Sequence, residues 1–295
     1  MNERSGSNLK AKLILLAGVF SCSMSSAFFR YMTAPSTIAA TYRLGWTVLL
    51  LTPLIFSKRG TRKELLSLKG KDLAFCGLSG LFLAMHFVVW FESLSNTSIA
   101  SSTVLVNTEV AFAAFGYLIF FGKKIRKKEI LAIGIAFLGS VVIAMADTGG
   151  GAGKNAVLGD ILALLAAFFS ACYTLIGTRE RSHMSTMVYT YVLYWGCFLS
   201  LLVFDAVSGV PMTGYEPINW IMSLCLAVFC TLLGHSVFSW SLKFLTPTYV
   251  STVKLAGPVF ASISAILLFG EIPGLIQVAG AAVVLAGVYL YAKNS

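Results

Sequence analysis

Apolar residues in this chain gather into ten long blocks separated by polar gaps. The blocks run over about 11–31, 36–57, 72–93, 98–121, 129–147, 157–177, 184–206, 219–243, 247–269 and 273–292. At about 1.5 Å of helical rise per residue, each block can cross about 30 Å of hydrocarbon. The pattern predicts an all-α integral membrane protein with ten transmembrane helices. No gap is large enough to hold a soluble domain.

The charges between the blocks are sorted by side. Eighteen of the 22 Lys and Arg residues fall at the N-terminus (Arg4, Lys10, Lys12), in alternate gaps, or at the C-terminus (Lys293). The gap residues are Lys58 to Lys71, Lys123 to Lys128, Arg179, Arg181 and Lys243. The intervening gaps carry only Lys154, and Arg30, Arg43 and Lys254 lie inside apolar blocks. Cationic loops stay in the cytoplasm, so both termini of this multi-pass chain are expected there.

A hydrophobic content of 57 % and a mean hydropathy of +0.83 exclude a water-soluble globule. The net charge of +10 is explained by topology and anionic headgroups, so no nucleic-acid partner is implied. The first block is too long for a cleavable signal and reads as its own insertion signal. Cysteines 22, 76, 172, 197, 225 and 230 all lie within blocks, with no CxxC pair or zinc-like His spacing, and read as packing residues. The Gly-rich gap 148–156 divides the chain into residues 1–147 and 157–295, five blocks each.

The two halves resemble one another. Sliding 76–120 onto 225–269, a shift of 149, pairs His86 with His235 and Ser102-Thr103-Val104 with Ser251-Thr252-Val253. Five blocks is an odd number, so equivalent helices cross in opposite directions. Inverted repeats of this kind let each half take the other's shape, which favours alternating access around one central site.

Residues 246–290, TPTYVSTVKLAGPVFASISAILLFGEIPGLIQVAGAAVVLAGVYL, resemble the EamA domain of the drug/metabolite transporter superfamily. The likeness rests on Gly257-Pro258, Phe269-Gly270-Glu271 and the glycines of the last helix. Ala39, Ala40 and Arg43 match the family's second helix, and Gly159 to Tyr173 its repeat opening. Within the superfamily the chain is most similar to YddG-type exporters of aromatic and other amino acids. The resemblance implies a basket of ten helices, with the third, fourth, eighth and ninth lining a central cavity. Glu109 stands where the second copy has Pro258, and Gly122-Lys123-Lys124 replaces the usual Gly-Glu turn.

Ionisable groups at bilayer depth normally face a cavity or a partner. Glu109 lies mid-way along the fourth block, with Lys254 and Arg43 within about 5–6 Å of the middle of theirs at helical rise. Helical spacing aligns Ser102, Leu105, Glu109 and Phe112, aligns Ser251, Lys254 and Pro258, and sets His86 beside Trp90 and His235 beside Ser239. An amino-acid zwitterion needs a cation for its carboxylate and an acceptor for its ammonium. Lys254 (or Arg43) and Glu109 supply these, and Trp90 takes the side chain. The structural alternatives are a Glu109–Lys254 ion pair, Arg43 bracing freed carbonyls, the histidines bonding across helices, and Pro258 as hinge or tolerated kink.

No P-loop, HExxH or GxSxG motif occurs, so neither ATP hydrolysis by this chain nor a cofactor or metal is implied. The expectation is a secondary carrier of small zwitterions rather than an enzyme, and a monomer is compatible with the pattern. A carrier of sugar phosphates or other metabolites, a pore and an intramembrane enzyme are the competing readings.

Overall fold

The computed structural model describes residues 2–122, 126–147, 154–235 and 256–294, together with 237, 241 and 253. A few side chains within helices, that of His235 among them, are not described. The described residues are helical, with no strand. The first block divides into α1 (Asn2–Ser23) and α2 (Ser25–Arg30), followed by α3 (Ser36–Ser57), a short basic helix α4 (Arg59–Leu66) and α5 (Gly70–Asn96). The fourth block divides into α6 (Ile99–Val106) and α7 (Glu109–Phe121), and α8 (Lys127–Asp147) completes the first half. The second half contains α9 (Ala156–Glu180), α10 (Thr186–Val207), α11 (Pro217–Cys225) running into a π-helical stretch (Leu226–His235), α12 (Gly257–Phe269) and α13 (Leu275–Asn294).

Among the described residues, seven helical segments are long and apolar enough to cross a membrane, and two further apolar helices, Gly257–Phe269 and Leu275–Tyr291, are shorter. Large apolar side chains such as Ile119, Phe120 and Leu267 point outward, as they do when lipid takes the place of water. The helix starts are set by local chemistry. The side chains of Ser98, Asn155 and Ser185 accept from backbone N–H groups of the first turns of α6, α9 and α10. Gly122 and Gly270, at φ 63° and 66°, end α7 and α12 in the left-handed conformation that glycine adopts without strain.

The fourth block is not the continuous helix its composition predicts. At Asn107 the backbone N–H turns back to Val104 O (3.1 Å), and the Asn107 amide donates to Thr103 O (2.6 Å). The Thr108 hydroxyl donates to Leu105 O (2.7 Å). Side chains thus take up carbonyls that a straight helix would have used. The same backbone bond recurs one repeat later, from Ala256 N to Val253 O at 3.0 Å.

Two pairs of helices that correspond under the repeat, α3 with α10 and α8 with α13, pack antiparallel. Thr41 and Thr52 of α3 meet Asp205 (2.6 Å) and Tyr191 (3.1 Å) of α10, so position falls on one helix as it rises on the other. On the seam between α8 and α13, Gly139 faces Gly280 and Val284, while Gly287 faces Ala132 and Ala136. A methyl group at Gly287 would stand 2.5 Å from the Ala136 nitrogen.

The two ends of the bundle differ. At one, the Glu64 carboxylate accepts from Ser185 N, and His183 meets Asp72. At the other, Arg30 pairs with Glu271 at 2.7 Å and donates to Thr97 O at 2.8 Å. Arg30 therefore does not snorkel to the surface as a lone cation at a helix end would. It bridges the two halves, linking the end of α2 to the turn after α12. The Gly-rich gap lies for the most part outside the described residues.

Candidate functional site

A cavity of about 190 Å³ opens where α1, α2, α3, α5, the α6–α7 break, α9 and α12 converge. Its wall includes Arg43, His86, Trp90, Glu109 and Pro258, all anticipated from the sequence, together with Asn107, Ser170 and Tyr173.

Arg43 is 2 % exposed. Its Nε donates to Thr231 Oγ1 (3.0 Å) and its Nη1 to Ser25 Oγ (3.2 Å), while the guanidinium lies 4.3 Å from the centre of the Phe87 ring. Two hydroxyls and an aromatic face hold the group flat against the cavity without neutralising it. Among the described residues it has no carboxylate within ion-pair distance. A buried cation left in this condition retains an affinity for an anion. The hydrogen bonds of Arg43 among the described residues go to side-chain hydroxyls and not to freed carbonyls, the structural alternative considered for it.

Glu109 is the first residue of α7, immediately after the break. A helix N-terminus favours negative charge, and the Ser170 hydroxyl of α9 donates to the Glu109 carboxylate. Its repeat counterpart, Pro258, occupies the equivalent place in the first turn of α12. There a missing N–H removes no bond within α12, so Pro258 stands at a helix start and not in mid-helix.

On α5, the His86 and Trp90 rings lie 6.1 Å apart at 14°. His86 Nδ1 stands 2.9 Å from Ala166 O. A carbonyl can only accept, so Nδ1 carries the proton and Nε2 is left as an acceptor in the neutral ring. The Trp90 indole N–H is buried and has no hydrogen-bond partner, an arrangement that costs about 1–3 kcal/mol until an acceptor arrives.

Ser102 does not reach the cavity. It is fully buried and its hydroxyl accepts from Ser93 at 2.9 Å. The break at Asn107 and Thr108 separates its helix face from that of Glu109, and Thr103, Val106 and Asn107 line the wall in its place. Ser239, Ser251, Lys254 and the side chain of His235 lie outside the described residues. Sequence reasoning missed Ser25, Thr231, Ser170 and Tyr173. The available signal was slight: a serine or threonine within an apolar block, of which the chain has many.

The sequence pattern of the EamA-like transporter family matches residues 9–145 and again residues 157–292. The chain belongs to the EamA-like transporter family. It is a multi-pass membrane protein and a transporter. An uncharacterized transporter of Archaeoglobus fulgidus is 27 % identical over 256 residues, 85 % of this chain and 86 % of its own length. A Salmonella typhimurium protein named a probable amino-acid metabolite efflux pump is 27 % identical over 180 residues, 58 % of this chain and 59 % of its own length. A solved structure superposes over 96 % of this chain and 97 % of its own, with a TM-score of 0.65 at 15 % identity, a likeness of fold.

Proposed function

We propose that this EamA-like transporter exports neutral amino acids, aromatic ones among them, by alternating access through the central cavity. The observation that carries the reading is the convergence of Arg43, Glu109 and Trp90 on one hollow. Arg43 receives the substrate carboxylate and Glu109 its ammonium. Trp90 takes an apolar or aromatic side chain and can donate its indole N–H. Such a site binds the zwitterion by charge at both ends and leaves the side chain to apolar burial. The Salmonella relative's name, a probable amino-acid metabolite efflux pump, supports the same substrate class.

In this reading the chain makes ten crossings with both termini cytoplasmic, in a bacterial inner membrane, as two inverted repeats (residues 1–147 and 157–295). The antiparallel packing of α3 on α10 and of α8 on α13 supports the inversion. Export runs down the substrate's own gradient. A carrier of phosphorylated metabolites calls for several cations around one anion, and among the described residues lining the cavity only Arg43 is cationic.

Counterflow in proteoliposomes tests the reading. Unlabelled phenylalanine or tryptophan inside should accelerate entry of the labelled amino acid, and Arg43→Ala should abolish the effect while the variant still elutes as a monodisperse protein. Absence of trans-stimulation across a panel of neutral amino acids overturns the proposal.

A further inference from the structure

A second group of polar side chains lies away from the cavity, at the end of the bundle where α5 begins and α9 ends. Asp72, Glu180 and His183 each present one ligand atom there, and the three atoms lie within 4.8 Å of one another. His183 Nε2 stands 3.2 Å from Asp72 Oδ1 and 3.4 Å from Glu180 Oε2.

Both carboxylates use their other oxygen elsewhere. Asp72 Oδ2 accepts from Lys69 N at 3.0 Å, closing the first turn of α5. Glu180 Oε1 faces Arg179 Nε at 3.7 Å. The remaining oxygens turn on one imidazole nitrogen, which carries at most one proton and can donate to one of them. Glu180 is 1 % exposed, and its Oε2 has no hydrogen-bond partner although it points into the cluster. An unpartnered carboxylate oxygen at that depth is expensive.

Ligands about 2.0–2.1 Å from a tetrahedral Zn²⁺ stand about 3.3–3.4 Å from each other. The separations from Nε2 match that edge. An ion at the centre of such a tetrahedron would satisfy all three atoms at once, which a proton on His183 cannot do. Lys69, Lys71, Arg179 and Arg181 stand close by in sequence, so a site relying on charge alone would be weak. That disfavours Mg²⁺ or Ca²⁺, which prefer all-oxygen sets, and favours an ion with affinity for imidazole. We propose that Asp72, Glu180 and His183 form a binding site for Zn²⁺ or a similar divalent transition metal, with the fourth position open to water. The ion would tie the start of α5, the end of α9 and the turn before α10 together. The proposal is independent of the substrate assigned to the cavity.

The test uses the full-length chain, purified in detergent without a polyhistidine tag. Equilibrium dialysis against Zn²⁺ with metal analysis should give about one ion per chain, and His183→Gln, Asp72→Asn and Glu180→Gln should each weaken binding by at least about tenfold. Cobalt substitution should give d–d bands of an oxygen- and nitrogen-ligated ion without thiolate charge transfer. His183 is 47 % exposed, so His183→Gln should retain the metal-free melting temperature and separates lost binding from lost folding. No stoichiometric binding, binding unaffected by His183→Gln, or a thiolate spectrum would each overturn the proposal.

Discussion

The Ser170 hydroxyl donates to the carboxylate of Glu109, so an acid on α7 is anchored by a helix from the other half of the chain. The bond occupies Oε2. Oε1 has no hydrogen-bond partner among the described residues, and in the proposed reading it is the oxygen that receives the substrate ammonium. A charge-assisted bond of this kind contributes about 1.5–3 kcal/mol, or about tenfold or more in affinity. Wild type should therefore bind phenylalanine at least about tenfold more tightly than N-acetylphenylalanine, and Glu109→Gln should erase most of that preference. Ligand-induced shifts in melting temperature measure both affinities. Equal discrimination in wild type and variant would remove Glu109 from the site.

The same carboxylate offers a test of the energy source. Export down the substrate gradient predicts that an imposed pH gradient leaves the wild-type rate unchanged. A rate that responds to the pH gradient, and loses that response in Glu109→Gln, would make the acid a proton carrier.

Arg43→Lys preserves the charge but loses the planar contact with Phe87 and one of the two directed bonds to Ser25 and Thr231. A cation–π contact of this kind contributes about 0.5–2 kcal/mol. The expected outcome is a loss of about threefold to thirtyfold in substrate affinity, with a smaller loss for ligands lacking a carboxylate. Isothermal titration with an amino acid and with the matching amine distinguishes the two.

Arg30 and Glu271 join the halves at one end of the bundle, with side chains 25 % and 13 % exposed. At that exposure the direct coupling should be near the upper end of surface pairs, about 1 kcal/mol. A double-mutant cycle with Arg30→Ala and Glu271→Ala should return it. Removing either partner should also speed thiol labelling of Cys22 in the cavity wall from that end. Labelling rates equal to wild type would show that the pair does not restrict access.

On the α8–α13 seam, Gly287→Val places side-chain atoms where the Ala132 carbonyl and Ala136 nitrogen now stand. Overpacking of this kind costs about 1–3 kcal/mol. The expected result is a lower melting temperature in detergent. Gly134→Val, at a position where a Cβ meets nothing within 4 Å, should be close to neutral.

The sequence made the membrane-spanning segments legible because hydrocarbon thickness dictates their length and excludes charge. For the same reason Arg43 and Glu109 stood out, and the structure brings both to one cavity. Their partners were illegible. Ser25, Thr231 and Ser170 are ordinary hydroxyls until folding sets them beside a charge. Ser102 was misplaced because Asn107 and Thr108 look tolerable in a long helix, and nothing in their identity announces that both will bond back to carbonyls. Met24 likewise gives no sign that the first block divides there. The Asp72, Glu180 and His183 group escaped notice because Asp72, at the start of one helix, lies more than a hundred positions from Glu180 and His183, at the end of another and in the turn after it.

An amide reaching three residues back to a carbonyl occurs at Asn107 and, 149 positions later, at Ala256. The chain thus turns at equivalent places in the two copies, although Ala256 and Gly257 lack the side-chain donors that Asn107 and Thr108 use at the first. In the alternating-access reading, the resting bias between the two postures is set where the copies disagree, at Asn107 against Ala256, Thr108 against Gly257 and Glu109 against Pro258.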